Sequence, residues 1–394
     1  MKQIFKYAML FVAACTLSMG FTACGDDDDD NTTDQTTQQT EAEKAAAAKA
    51  AALTAVNTQF VNQTAIATYK GLADACETLL SQVESMNSQS SLNAVCNQWK
   101  TARQYWEWSE AFLFGAASGY AIDPHIDTWP FDVTQFNNVM SKFHPATDED
   151  DADAVDHMVA TTQNFTGFHA LEYIIFRDGQ PRTFSDLTDD EIYFAGSVAA
   201  DLYLSACRLE AAWAGTDNVK ASRQELLEEE ELEPEDNFGE ELSTAGQAGS
   251  RWKTATLGAI QIIEGCQDII GEVADSKIGA AYTGDDVDYI ESPHAYNSIQ
   301  DFYDNIESCK HALYGGLTVS GTTPASGSLM AYCQTNYASQ ASAAMTALEN
   351  ALAKIKAMKA PFVLNYTDAS CGVAIEALHA LDEALDDLKD ALED

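Results

Sequence analysis

Positive charge is scarce in this chain. Of 394 residues, 21 are Lys or Arg against 62 Asp or Glu, for a formal net charge of −41. So acidic a protein repels nucleic acid and anionic lipid and draws cations through its long-range field. Nucleic-acid partners are thereby excluded, although acidity also serves solubility and does not by itself locate a cation site. Cysteine pairs at metal or redox spacing are missing: none of the nine cysteines falls in a C-x-x-C, which removes zinc-ribbon and thioredoxin-like readings. H-E-x-x-H, the zinc-peptidase helix motif, is absent too. Beyond the first 23 residues no apolar run approaches about 18 residues, the length a membrane-spanning helix needs. Period-two alternation bounded by turn residues is lacking, which argues against a sheet.

The N-terminus carries an export pattern. Lys2 and Lys6 flank the start of an apolar core, "YAMLFVAACTLSMGF", of signal-peptide length. It runs into "FTACG", which resembles a bacterial lipobox and implies cleavage before Cys24 with lipid on its thiol; the plainer alternative is an ordinary signal cleaved near Ala23. Residues 1–23 are thus expected to be a lipoprotein signal peptide. Residues 24–45, which include "GDDDDDNTTDQTTQQT", are expected to be an acidic disordered tether, too poor in apolar groups to order itself. The acidic run after the cysteine resembles surface-export signals of some Gram-negative lipoproteins, and a spacer explains it equally. The expected location is the cell envelope at the outer membrane, facing periplasm or surface, with lipidated Cys24 as the sole membrane contact. Setting aside Cys15 and Cys24 leaves seven cysteines, mostly in apolar helical context. They read either as buried small hydrophobes or as one or two disulfides with a thiol left over.

Nearly all the rest reads as helix. Apolar residues recur at three and four through Ala-rich, proline-poor segments, and such helices joined by short connections make bundles. From Glu225 to Glu241 there are ten acidic residues and no basic one, punctuated by Pro234 and Gly239. Like-charge blocks are generally solvated, so the expected architecture is all-α in two helical bundles: residues 46–220, an acidic linker at 221–244, and residues 245–394. A second acidic stretch, "TDEDDADAVD" (147–156), lacks the Gly and terminal Glu of an EF-hand loop and reads as an acidic helix start. Two irregular, aromatic-rich stretches, 114–132 and 282–305, are long enough to be functional.

His-Ala-Leu occurs three times, at His169, His311 and His379. In "GFHALEYIIF" the His169 and Glu172 side chains lie three apart and share a helix face, Cβ atoms roughly 5–6 Å apart. An imidazole beside a carboxylate suits zinc, ferrous iron or acid–base work. Gly167, two residues earlier, admits a close backbone approach. His379 has carboxylates at helical spacing, but they form the wet face of an amphipathic helix. His311 has Lys310 beside it, a poor cation site.

"GFHALEYIIF" also fits the G-x-H-x-x-E signature of the imelysin-like family, exported bacterial proteins once classed as metallopeptidases and linked to iron uptake. "WKTARQYWEWSEAFLFG" (99–115), "IDTWPFD" (126–132) and "IESPHAYNSIQDFYDNI" (290–306) resemble further family blocks, in order. The resemblance spans roughly residues 50–390. It implies two helical bundles with the signature helix near their interface, and functional positions at Gly167, His169 and Glu172. Arg103, Glu110, Asp127 and Trp129 match its first-domain blocks; Glu291, Ser292, Asn297, Asp301 and Asn305 match the second.

Two readings follow. In the favoured one the protein binds a divalent metal, iron before zinc, through His169 and Glu172, with Glu110, or else Asp127 or a residue of 291–305, completing the shell, and with support from Gly167, Arg103, Asp127, Trp129, Ser292 and Asn297. Its partners would be the metal ion or an iron chelate, and proteins of an uptake system. In the other it is a metallopeptidase using His169 and Glu172, with His294 as a distant third ligand. That demands an open metal position, a base and a substrate groove, for which the sequence offers no sheet edge. A third possibility is a small organic ligand or iron chelate stacked on Trp106, Trp108 and Trp129.

Overall fold

The computed structural model describes residues 40–319 and 321–393. The signal segment, Cys24 and the tether up to residue 39 lie outside them. Residues 41–45, assigned above to the tether, are already helical. Helix α1 spans Glu41–Phe60 and starts with Glu41 and Glu43 in its first turn, where carboxylates favour the positive end of the helix dipole.

A π-helical turn, Val61–Ala65, joins α1 to α2 (Ile66–Glu84). Helix α3 (Gln89–Glu107) opens on a reciprocal cap between Ser88 and Ser91. The signature helix is α4 (Gly167–Ile175), and the long α5 (Asp189–Ala214) is capped by Thr188 with Glu191. The second half contains α6 (Ala255–Gly271), a second π-helical stretch at Glu272–Ile278, α7 (Ser298–Tyr314), α8 (Ala338–Lys356) and α9 (Ala369–Glu393). Among the described residues the only strands are β1 (Phe176–Arg177) and β2 (Gln180–Pro181), a two-residue hairpin whose turn residues Asp178 and Gly179 both have positive φ. The fold is all-α, as the periodicity requires.

Helix α2 packs against α3 and α5, and α4 against α5; in the second half α9 packs on α6 and α8, and α7 on both of those. The two groups meet where α3 and the turn Glu110–Phe112 lie against α6 and α7. Ala45–Asp394 forms one compact unit, and its main hydrophobic core runs from Leu53 to Leu392, with a small second cluster of Cys207, Ala211, Val219 and Leu227. All seven cysteines in it are buried thiols, and none is bridged.

The acidic segment 221–244 is not a solvated linker. It holds two short helices, Ala221–Glu229 and Phe238–Ser243, with Leu227, Phe238 and Leu242 buried. The acidic residues 228–231 do face solvent, as like charges must, but Arg223 anchors the segment from within. Its fully buried guanidinium donates to Glu210, to Asp74 at 2.6 Å and to Glu77 at 3.0 Å. One cation among ten carboxylates decided the matter, which a charge count does not weigh.

Removing that cation leaves the buried Glu210 without a partner. Arg223→Ala is expected to cost roughly 3 kcal/mol, whereas Lys70→Ala, at the exposed Lys70–Asp74 pair, should cost less than about 1 kcal/mol. Urea unfolding of both variants checks this; equal losses would show that Arg223 does not hold the segment.

Candidate metal centre

Helix α4 is buried along its whole length save Tyr173. Its first residue, Gly167, has φ +71°, and a Cβ placed there would lie 2.1 Å from the Ile126 carbonyl oxygen. Both the left-handed backbone and the contact demand glycine. The absent side chain lets the turn at Asp123–Ile126 press against the start of α4, and the next residue, Asp127, reaches His169.

His169 is fixed from two sides. Its Nδ1–H donates to Glu172 Oε2 at 3.2 Å, and the ring packs 4.6 Å from that of Trp129. Glu172 is itself held, because Oε1 accepts the backbone N–H groups of His294 and Ala295, each at 2.8 Å. A carboxylate that orients an imidazole in this way leaves the other nitrogen for a metal. That nitrogen, Nε2, lies 3.1 Å from Asp127 Oδ1 yet makes no well-directed hydrogen bond. Glu291 Oε2 is likewise buried without a partner. Ligand atoms of Asp127, His169 and Glu291 lie within 4.8 Å of one another, the only such cluster of His, Cys, Asp and Glu among the described residues.

Arg103 ties this cluster together. Fully buried, it donates to Asp127 Oδ1 and to Glu291 Oε1 at 2.7 Å, and its charge pairs with Glu107 Oε1 at 2.5 Å and with Asp301 at 3.9 Å. Trp106 Nε1–H donates to Asp127 Oδ2 at 2.6 Å. Lys277, brought inward by the π-helical stretch, donates to Glu291 Oε1 at 3.1 Å. The triad's open side faces a cavity of about 330 Å3 whose wall includes Glu110, Asp123, Asp127, Glu272 and Glu291, with Lys277 as the one cation.

Burial drives the carboxyls of this wall upward. Asp123 rises to about 7, helped by the Asp127 charge, and Glu110 and Glu272 also rise. Beneath it Glu107 rises well above its ordinary value, and Asp301 reaches about 7 despite Arg103. Asp127 goes the other way: burial opposes its charge, but Arg103 and His169 hold it far below the usual carboxylate range. Desolvation opposes protonation of His169, yet the adjoining carboxylates of Asp127 and Glu172 push it up to about 9. So many buried carboxyls and so few cations make a site that gains by taking up a divalent ion and releasing protons.

The expected residues converge, though not all as ligands. His169 is buried beside Asp127 and Glu291, which line the cavity, while Glu172 has both oxygens engaged and orients the imidazole. Glu110 faces the same cavity, 5 % exposed and outside the triad. Asp127, expected in support or as an alternative ligand, and Glu291, matched only as part of a block, stand with His169 instead. Trp129 lines the cavity. Ser292, at φ +48°, and Asn297, whose side chain donates to Asp301 at 2.6 Å, shape the loop behind Glu291. His294 sits against Tyr173 and Arg177, away from the triad. Trp108 donates to Asp304, elsewhere. Of the other His-Ala-Leu histidines, burial pushes His311 down to about 4, and His379 pairs with Asp275 on the surface. Asp123, Glu272 and Lys277 were missed. Asp123 had a signal, its spacing of four from Asp127, but Lys277 had none.

An all-α scaffold that brings an imidazole and two carboxylates together beside a buried acidic cavity defines a class of helical protein with a candidate cation site. Residues 65–389 match the family model described as Imelysin, peptidase M75, and the chain belongs to that family. It is 27 % identical over 249 residues to "Iron-regulated protein A" of Synechococcus elongatus, a match covering 62 % of this chain and 60 % of that protein. The crystal structure of an iron-regulated protein A precursor from Parabacteroides distasonis is similar with a TM-score of 0.74 at 24 % identity, covering 87 % of this chain and 95 % of the other. An imelysin-like protein from Psychrobacter arcticum gives a TM-score of 0.58 at 14 % identity, covering 85 % and 93 %. These two likenesses concern the fold.

The raised His169 value has a definite sign. Its ordinary value is 6.5, so the stabilisation from protonated His169, roughly 3 kcal/mol by the size of the shift, is complete below about pH 6.5 and lost as pH rises through about 9. In chelator-treated buffer the stability gap between wild type and His169→Gln should shrink across that window. A gap that stays constant with pH would refute the hydrogen-bonded imidazolium.

Proposed function

We propose that this protein binds iron as a divalent cation outside the cytoplasm, lipid-anchored through Cys24, and serves iron uptake. The observation that carries the reading is the convergence of Asp127, His169 and Glu291, with buried unpartnered atoms at His169 Nε2 and Glu291 Oε2, beside an acidic cavity that Asp127 and Glu291 line. One imidazole and two carboxylates form a borderline-to-hard donor set that suits ferrous iron, manganese or zinc and offers nothing to thiolate-seeking metals. The name of the Synechococcus relative favours iron among these. Arg103 and Lys277 would hold Asp127 and Glu291 in place while the ion takes the free Glu291 Oε2 and shares Asp127 Oδ1 with Arg103. The envelope location rests on the signal-like N-terminus and Cys24. Peptidase action receives less support, since Glu172 is committed to His169 and two backbone amides and no second histidine joins the triad.

Anaerobic calorimetry of the lipid-free protein with ferrous iron and zinc tests the metal reading. Binding near or below about 1 μM, weakened about tenfold or more by His169→Ala and by Asp127→Asn, is expected. Glu172→Gln should lose less, because it removes orientation and not a ligand. Unchanged affinity in both ligand variants would overturn the assignment. For the anchor, Cys24→Ala should move the protein from the membrane to the soluble fraction of the producing bacterium; retention on membranes would refute lipidation there.

A further inference from the structure

A second cavity, about 320 Å3, lies beside the acidic one and differs from it in charge. The turn Asp123–Ile126 is the partition: Asp123 and Pro124 face the acidic cavity, while Ile122 and His125 face the second, and Gln163 borders both. Arg208 of α5 projects into the second cavity. The chain has six arginines. Four of them, Arg103, Arg182, Arg223 and Arg251, are ion-paired. Arg208 has no carboxylate partner among the described residues, in a protein with three times as many acids as bases. Its guanidinium stacks 4.3 Å above the Tyr120 ring, and its Nε is buried without a hydrogen-bond acceptor.

The two carboxylates nearby do not supply that acceptor. Asp201 Oδ2 faces His125 Nε2 at 2.8 Å, though without a well-directed hydrogen bond, and the other ring nitrogen of His125 lies 2.7 Å from the Thr162 carbonyl oxygen. Glu230 lies on the exposed rim. A planar fork of donors, held flat on an aromatic ring and lacking an acceptor, is the arrangement that takes a carboxylate bidentately.

We propose that the Arg208 cavity is an anion subsite for a small organic polycarboxylate, the class of molecule that chelates iron. The assignment of carboxylate rests on Arg208 and its cavity; the assignment to a chelating cargo rests on the metal reading above. A chelate whose metal lies toward His169 carries surplus carboxylates. One docked on Arg208, across the Asp123–Ile126 partition, would distinguish a chelated ion from a free one. The extra negative charge of such a cargo is met by Arg208, which no protein carboxylate has claimed; Arg177, the other arginine without an ion pair, lies against Tyr173 and His294 and lines neither cavity.

Citrate and ferric citrate are suitable probes, titrated into the lipid-free protein by calorimetry. Metal-free citrate should bind the wild type. Arg208→Gln should weaken it about tenfold or more, as loss of a charge-assisted bidentate contact does, and Arg208→Lys should restore part of the loss. His169→Ala should weaken ferric citrate binding more than it weakens metal-free citrate binding. Thermal unfolding of Arg208→Gln close to that of wild type confirms that the variant folds. Citrate binding equal in wild type and Arg208→Gln, or none to the wild type in the millimolar range, overturns the subsite. Ferrous iron binding that persists in that case leaves the metal centre standing. Citrate binding that depends on Arg208 while ferrous iron fails to bind supports the subsite and overturns the metal centre instead.

Discussion

One buried guanidinium organises this molecule. Arg103 sits on α3 with no exposed surface and gathers Glu107 from its own helix, Asp127 from the long irregular segment, and Glu291 and Asp301 from the second half of the chain. A lone arginine so deep would be prohibitively costly, and so would the carboxylates without it. Each therefore requires the others, and the requirement joins segments nearly 200 residues apart. The two groups of helices share one core, and this polar knot lies where they meet. Its geometry sets where Asp127 and Glu291 can point.

The candidate metal centre inherits its order from that knot. Asp127 is held by Arg103 and by Trp106, so its approach to His169 does not depend on the imidazole alone. His169 is steadied from behind by Glu172, and Glu172 by two amides of the loop after Glu291. The chain of contacts closes on itself, from Arg103 to Glu291, along the loop to Glu172, to His169, to Asp127 and back. Such a ring can keep several carboxyls out of water at once because almost every lone pair has a donor. The atoms left over, His169 Nε2 and Glu291 Oε2, mark where a further positive charge belongs.

Much of this was legible beforehand, unevenly. The helices were readable because their periodicity is local, and His169 was distinguishable from His311 and His379 by its flanking Gly167 and Glu172. The role of Glu172 was not readable: spacing places it beside His169, but only the loop at His294 and Ala295 shows that its other oxygen is taken. The acidic stretch at 225–241 misled for a related reason. Charge density predicts solvation on average, and one arginine buried among distant carboxylates reverses the outcome for the segment that carries it.

Local order thus belongs to the sequence: an all-α chain, a glycine that admits a neighbouring backbone, a histidine with a carboxylate one turn away. Which carboxylates face a metal and which merely steer the histidine belongs to the tertiary structure. So does the placement of Lys277, which no motif announces and which reaches the cavity through a widened helical turn. The physical reason is one of range. Helical periodicity acts over a few residues, whereas ligand geometry and the protonation of buried carboxyls depend on charges that the fold alone brings within a few ångströms.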